Sequence, residues 1–164
     1  MRRIFIAFSS ALFILAVGAS PAAATKPVRE PTPDFEFEFA AGEVCSFAIE
    51  GTTLVNRGYT TTFFDPNGNP VMQIISGTLI VQVTNLDTGT SVVRNISGPG
   101  TITFAPDGGF TLEANGAWLF VTLPGGPSLA YINKGRIVFE FTPDGQINVL
   151  MQQGIQEDLC ATLG

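Results

Sequence analysis

Carboxylates are the main side chains in this sequence that could carry out catalysis. The chain of 164 residues contains 14 Asp and Glu residues and no histidine. The lack of histidine excludes Ser-His-Asp and Cys-His nucleophile systems and histidine-based metal sites. Glycoside hydrolysis needs two facing carboxyl groups, and Glu50, Glu113 and Glu140 lie in β-type segments. The alternating pattern places these three on the solvent side of their strands, so a carboxylate enzyme is the least favoured function and no catalytic residue is assigned.

Arg94 is the other charge of interest, because it lies among apolar residues of a predicted strand. In segment 91–97 it shares one face with Val92 and Ile96. If it points inward it needs a partner, either a carboxylate such as Glu140 or an anionic ligand. If it points outward it is a solvated charge, which is the more common arrangement. Arg94 and Glu140 are therefore the candidate polar residues of the interior.

Metal and cofactor sites are not indicated by the sequence. Asp65, Asn67 and Asn69 alternate as calcium ligands do, but Pro70 stands where an EF-hand loop requires glycine. A hairpin turn explains the same residues. Phosphate-binding glycine loops are missing too, because the glycines are not followed by a lysine-serine pair and a helix. We therefore expect no metal and no cofactor.

Cys45 and Cys160 are the only two cysteines, and they lie far apart in the chain. In an oxidising compartment such a pair predicts a disulfide. The bridge would make both sulfur atoms unavailable as nucleophiles or metal ligands. It would also lower the entropy of the unfolded chain by about 4 to 5 kcal/mol in the simple loop-closure treatment.

The first 24 residues have the features of a secretory signal peptide. A basic Met-Arg-Arg start precedes an apolar run at 4–17, and small residues precede a cleavage point after Ala24. The run is shorter than the roughly 20 residues that a membrane-spanning helix needs. We therefore expect a secreted, extracellular protein that has no membrane attachment after cleavage.

The charge of the chain argues against two classes of partner. The formal net charge is −6, and signal cleavage would make it more negative by removing Arg2 and Arg3. An acidic surface repels phosphate backbones and anionic lipid headgroups, so we expect neither nucleic acid nor membrane as a partner. The same acidity would keep a secreted protein soluble.

Two regions follow the signal peptide. Residues 25–33 carry three prolines without an apolar period and predict a disordered linker, whereas 34–164 predict a single domain. From Cys45 onward, short runs rich in Val, Ile, Thr and Phe alternate with a period of two, and we count about ten strands. The turns predicted from Pro, Gly and Asn are 65–68, 87–89, 98–100, 106–109, 124–127, 133–135 and 143–145.

The short connections favour one topology. They predict an all-β, antiparallel up-and-down meander, and closure into a barrel would remove the exposed edges of so many strands. A β-sandwich is the alternative. In the tail 154–164, Ile155, Leu159 and Leu163 recur every four residues and predict a short C-terminal helix.

Phe35, Phe37 and Phe39 occupy alternate positions ahead of the first cysteine, with acidic residues between them. On a strand the three rings lie on one face and the acids on the other. We interpret the segment as an intramolecular strand that packs its rings on the domain. The alternative is an exposed arm that joins the sheet of a partner.

Several of these features together resemble a known group of proteins. They are the signal peptide, the first cysteine, Thr-Gly-Thr-Ser-Val-Val-Arg-Asn-Ile-Ser-Gly-Pro-Gly at 88–100, and the final Asp-Leu-Cys-Ala at 158–161. The chain resembles small, uncharacterised secreted bacterial β-proteins with one N-terminal and one C-terminal cysteine. The shared motifs are structural, so the resemblance implies no activity.

Two functions of different class remain. The first is a binding module whose barrel interior, lined by phenylalanine and aliphatic side chains, holds a small apolar ligand. The second is a structural or interaction protein whose interior is filled by its own side chains. The 14 phenylalanines fit both. The sequence predicts neither the identity of a ligand nor the oligomeric state.

Overall fold

In a computed structural model of the chain, the structure describes residues 26–121 and 129–164. The elements are β1 (Val28–Pro31), β2 (Phe37–Phe39), β3 (Ile49–Phe64), β4 (Pro70–Asn85), β5 (Ser91–Asn95), β6 (Gly100–Phe104), β7 (Phe110–Val121), β8 (Ala130–Phe141), β9 (Ile147–Asp158) and helix α1 (Leu159–Leu163). No helix in the two described ranges has the length and apolar character that a membrane crossing needs. The predicted signal peptide, 1–24, and the predicted turn at 124–127 lie outside the described residues.

The nine strands form one antiparallel sheet. Its order is β1-β3-β4-β6-β7-β8-β9, while β2 pairs with β3 and β5 pairs with β4. Neighbours in the sheet also follow each other closely in sequence, as expected for a meander. The structure thus confirms the all-β, antiparallel class and the C-terminal helix. The helix is shorter than predicted, because β9 continues to Asp158, whose side chain then caps α1 by accepting from the backbone N–H of Ala161.

Three hairpins share one turn design. The loops 65–69, 105–109 and 142–146 join β3 to β4, β6 to β7 and β8 to β9. In each loop the first N–H donates to the fifth carbonyl at 2.8, 2.8 and 3.0 Å. The fourth residue is always a glycine with φ between 84° and 94°, a conformation that glycine adopts without strain: Gly68, Gly108 and Gly145. Antiparallel pairing places all three turns at the same end of the sheet.

Glycines also lie inside the long strands, in register with one another. Gly58 of β3 pairs with Gly77 of β4, and Gly116, Gly135 and Gly154 lie side by side across β7, β8 and β9. A Cβ added to either member of the last pair would lie 2.2 Å from a carbonyl oxygen of the neighbouring strand. We call these two sets the glycine rows.

The strands bend sharply at the glycine rows. The rings of Phe120 and Phe139 lie 5.3 Å apart, although Phe139 is in register with Leu112, eight positions away from Phe120 along β7. Eight residues of straight strand span roughly 26 Å. The β7–β8 hairpin therefore folds back on itself, and the glycines allow the close backbone approach at the bend.

The bend produces two cores. The larger core combines residues from β3, β4, β7, β8 and α1, and its fully buried members are Ile49, Val81, Val83, Ile132 and Leu159. The smaller core lies inside the fold of β7 and β8 and consists of Ala114, Phe120, Ile137 and Phe139. Parts of one sheet thus pack against each other.

The predicted closure into a barrel is wrong for the described residues. β9 ends the sheet order and does not pair with β1. The sheet folds sharply along the glycine rows, so its parts pack face to face instead of curving evenly to meet edge to edge. A side-chain bridge between Arg94 of β5 and Glu157 of β9 connects the two sides of the fold where a strand pair would close a barrel. The open sheet that packs on itself is closer to the alternative expectation of a sandwich.

Two local predictions are also corrected. The predicted linker at 25–33 contains β1, which pairs with β3 from Val28 opposite Thr62 to Pro31 opposite Tyr59. The predicted turn at 133–135 is the middle of β8. In both places the local composition is that of a loop, but pairing with a distant strand determines the structure.

The disulfide is confirmed. Cys45 and Cys160 are bonded, with their Cα atoms 5.3 Å apart. The bond joins the loop that precedes β3 to α1, at the end of the sheet opposite to the three tight turns.

Candidate functional site

An apolar cavity lies beside the bend of β3 and β4. Its volume is about 250 Å³. The aliphatic and aromatic residues of its wall are Phe35, Ile75, Leu79, Ile96, Trp118 and Leu119. Leu79, Ile96 and Leu119 also belong to the larger core or pack on it. The cavity is therefore continuous with the interior and is bounded by strands that the glycine rows bring together.

Trp118 is held in place by the connection between β5 and β6. A Cβ on Gly98 or on Gly100 would lie 2.4 Å from an indole carbon, so the ring packs directly on both glycines. Its Nε1–H donates to the carbonyl of Pro99 at 3.3 Å. The Gly-Pro-Gly segment thus provides a flat surface and one acceptor for the only tryptophan of the chain.

The segment Thr32 to Phe35, which we call the strap, forms another side of the cavity. It is fixed by Asn56 of β3, whose Nδ2 donates to the carbonyl of Thr32 at 2.7 Å and to the carboxylate of Asp34 at 3.0 Å. The Oδ1 of Asn56 accepts from the backbone N–H of Gly58 at 2.9 Å. One amide therefore orients the strap and is oriented by the bend of β3.

The far end of the strap is fixed by Thr53. The backbone N–H of Phe35 donates to Thr53 Oγ1, and the same hydroxyl donates to the carbonyl of Phe35, both at 2.9 Å. Phe35, Phe37 and Phe39 are half-buried and pack on the larger core, while the acids between them are exposed. The structure confirms the intramolecular interpretation of this segment.

A second, more polar groove lies on the other side of the strap. It has a volume of about 340 Å³, and its wall includes Arg57 and Tyr59. The strap residues Thr32 and Asp34 and the side chain of Asn56 border both spaces. The strap thus separates an apolar interior cavity from a polar surface groove.

Arg94 lies outside the cavity and is paired with a residue that the sequence analysis did not select. It donates through Nε and Nη2 to Oε1 of Glu157, and Lys134 approaches Oε2 of Glu157 at 3.1 Å. The hydrogen bond from Arg94, more than that from Lys134, lowers the pKa of Glu157, and the same bond raises the pKa of Arg94. The predicted partner Glu140 instead accepts from Asn148 at 3.0 Å. The expectation of an interior Arg94–Glu140 pair is wrong.

The three β-strand glutamates do not form a catalytic pair. Glu113 accepts from Arg136 at 3.0 Å, and this hydrogen bond is the main cause of its lowered pKa. Glu140 lies on the rim of a shallow groove near the turns, and Glu50 lies in β3 opposite Glu38. None of these glutamates lines the apolar cavity, where Asp34 is the sole carboxylate.

The described ranges contain no cluster of three or more possible metal ligands. The Asp65 carboxylate accepts from the backbone N–H groups of Asn67 and Asn69, each at 2.8 Å. Hydrogen bonding from Asn69, first through its side chain, lowers the pKa of Asp65. These residues build the β3–β4 turn, as the sequence analysis concluded.

One buried polar group lacks a partner within the described residues. Asn133 of β8 is 1% exposed, and neither its Oδ1 nor its Nδ2 makes a hydrogen bond there. It lies directly opposite Trp118 in the β7–β8 register. Its amide is thus buried beside the strand position that supplies the aromatic wall of the cavity.

Comparisons with known proteins add no family. No protein-family model, no curated protein and no solved structure matches this chain. The site must therefore be interpreted from its own geometry.

The residues that form the cavity were mostly missed by the sequence analysis. Asn56 lies between two predicted strands, and Trp118 was considered only in relation to the cysteines. A signal for Trp118 is present in the Gly-Pro-Gly of 98–100, which offers space for a ring to pack. For Asn56 and the strap no comparable local signal exists, because their contact joins residues about twenty positions apart.

Proposed function

We propose that this protein is a secreted binding module that holds a small apolar molecule in the cavity between the strap and Trp118. The observation that carries the proposal is an enclosed space of about 250 Å³ with a predominantly apolar wall. An apolar cavity of roughly 150 Å³ is sufficient to bind benzene in a protein core. The ligand class is therefore a compact hydrocarbon or aromatic molecule of one or two rings.

The wall is suited to such a ligand because its shape is fixed. Trp118 is packed on Gly98 and Gly100, and the strap is anchored by Asn56 and Thr53. A preformed wall lowers the entropic cost of binding, since few side chains must be ordered when the ligand enters. The polar atoms along the strap already have partners within the protein, which favours an uncharged ligand.

The disulfide supports an oxidising, extracellular location, as the signal-like N-terminus predicts. The acidic net charge is consistent with a soluble partner-free form and with no role in nucleic acid binding. An alternative function, a structural or interaction protein, is favoured by a different observation, the well-filled smaller core around Phe120 and Phe139.

Quenching of Trp118 fluorescence tests the proposal directly. Bromobenzene, an apolar probe with a heavy-atom quencher, should quench the single tryptophan with a saturable dependence on concentration because it binds against the ring. Collisional quenching alone would give a linear dependence, and a strictly linear wild-type curve would overturn the proposal.

A matched pair of variants locates the bound probe. Ile75 lines the cavity, whereas the adjacent Ile74 is 36% exposed and does not. Ile75→Phe should fill the space and remove the saturable phase, while Ile74→Phe should keep it. Equal saturable quenching in both variants, with circular dichroism showing both folded, would place the probe elsewhere and reject this site.

A further inference from the structure

The last strand of the sheet has a free side. β9 runs for 12 residues and ends the sheet order, and no strand among the described residues pairs with its outer edge. The backbone groups that point away from β8 are therefore available to another strand. A long unpaired edge is the usual template for strand addition.

The same strand exposes large apolar side chains. Val149 is 53% exposed, Leu150 58% and Ile155 74%. The opposite edge of the sheet is different, because β1 has only four residues and includes Arg29, Glu30 and Pro31. Charges and proline protect an edge strand against pairing, whereas β9 lacks this protection along most of its length.

We infer that β9 is an interface at which two copies of this chain pair edge to edge, antiparallel, about a two-fold axis. The partner is a second copy because the strand is uncharged from Ile147 to Gln156. Two molecules of an acidic protein can approach along this segment without opposing like charges. The nearest acid at its end, Glu157, is already paired with Arg94 and Lys134.

A two-fold axis through Gln153 gives a register that matches the side chains. Ile155 of each copy then lies opposite Met151 of the other. Both residues are on the same face of β9, because Ile155 is in register with Lys134 and Met151 with Val138. The antiparallel symmetry makes the contact self-complementary, so it closes after two copies and does not propagate.

The interface is small, and the association is correspondingly weak. A single pair of strands buries less than the roughly 1,200 Å² of a standard stable interface, so we expect a dissociation constant of about 1 to 100 μM. The bulge at β8–β9 between Val138 and Phe139 limits the regular pairing to the half of β9 around Gln153.

Sedimentation equilibrium with two charge-matched variants tests the inference. Ile155→Lys should weaken dimerisation at least tenfold, because it places two lysines against the apolar contact of the partner. Val28→Lys adds the same charge to β1, where the replaced side chain is 45% exposed, and should leave the equilibrium unchanged. A wild-type protein that stays monomeric at several hundred micromolar, or equal effects of both variants, would overturn the inference.

Cross-linking tests the register. Directly opposite residues of an antiparallel pair have Cα atoms about 4.5 to 5.5 Å apart, a separation that a disulfide can bridge. Gln153→Cys should therefore form a disulfide-linked dimer on air oxidation. Gln156→Cys should not, since the two copies of that residue lie roughly 20 Å apart along the strands. Efficient cross-linking through residue 156 and not through residue 153 would reject this pairing.

Discussion

Substitution of Gly51 by alanine is expected to destabilise the protein by displacing the ring of Phe37. Gly51 of β3 pairs with Phe37 of β2, and a Cβ at Gly51 would lie 2.1 Å from Cε1 and 2.4 Å from Cζ of that ring. Such distances are impossible for two carbon atoms, so the ring must leave its position. The change therefore tests whether β2 packs on the domain as the strap and the cavity require.

The magnitude follows from what the ring loses. Full burial of a phenylalanine side chain contributes about 1.5 to 3 kcal/mol, and Phe37 is half-buried, which leaves about 1 to 1.5 kcal/mol. The ring also contacts Phe35 and Phe39 at centroid distances of 5.5 and 5.7 Å, and aromatic pairs add about 0.5 to 1.5 kcal/mol. Gly51→Ala should thus lower the free energy of unfolding by about 2 kcal/mol.

A double-mutant cycle isolates this effect. With Phe37→Ala already present, Gly51→Ala has no ring to displace, and it should be neutral or stabilise by about 0.5 kcal/mol because alanine restricts the unfolded chain. The coupling energy between the two positions should then be about 2 kcal/mol. Urea unfolding of the wild type, the two single variants and the double variant, followed by Trp118 fluorescence, measures it. If Gly51→Ala has the same cost in both backgrounds, the ring does not lie on Gly51 and β2 is not docked.

Three further predictions concern charge, burial and the covalent bond. Glu157→Gln should cost about 1 to 3 kcal/mol at neutral pH. Because Arg94 depresses the pKa of Glu157 below its ordinary 4.5, the contribution is complete above that pH and is lost as the pH falls through the folded value; a wild-type-minus-variant difference in urea stability that does not shrink in acid contradicts this. Asn133→Leu should raise stability by about 1 to 3 kcal/mol, since it removes a buried amide without a partner in the described chain, and a lower thermal midpoint would refute it. Removal of the disulfide by Cys45→Ala with Cys160→Ala should cost about 5 kcal/mol, because the bond spans 115 residues; an unchanged urea midpoint would show that it contributes nothing.

Local sequence signals predicted the elements that depend on local geometry. Proline followed by Asp or Asn and then glycine marks the turns before Gly68, Gly108 and Gly145, and all three have the backbone that these residues favour. Two cysteines in a chain with a signal-like start were sufficient to predict the disulfide. These features follow from residue chemistry over a few positions.

The bends could not be predicted in the same way. A glycine in a tight turn and a glycine in the middle of a bent strand have the same local signal, so Gly135 was interpreted as part of a turn although it lies in β8. The register of Gly135 with Gly116 and Gly154 is a property of three strands. The same limitation turned the expected barrel into an open sheet, because closure depends on whether the sheet curves evenly or folds.

The candidate site was predicted only in its general character. An interior with an apolar wall was expected, but its polar residues were placed at Arg94 and Glu140. Arg94 instead bonds Glu157, 63 positions away, and the strap is fixed by Asn56 through contacts that no periodicity reveals. Side-chain partners across distant strands depend on the register of the whole sheet, which the sequence pattern does not specify.

The shared turn design at one end of the sheet has a consequence for engineering. Three tips of nearly identical geometry project side by side from loops 65–69, 105–109 and 142–146, while the covalent cross-link and the helix secure the far end. Peptides grafted between Asp107 and Gly108, or at the equivalent positions of the other two tips, would extend into solvent from a rigid frame. The molecule therefore has the layout of a display scaffold, in which variable segments on one end leave the folding nucleus and the internal cavity of the other part untouched.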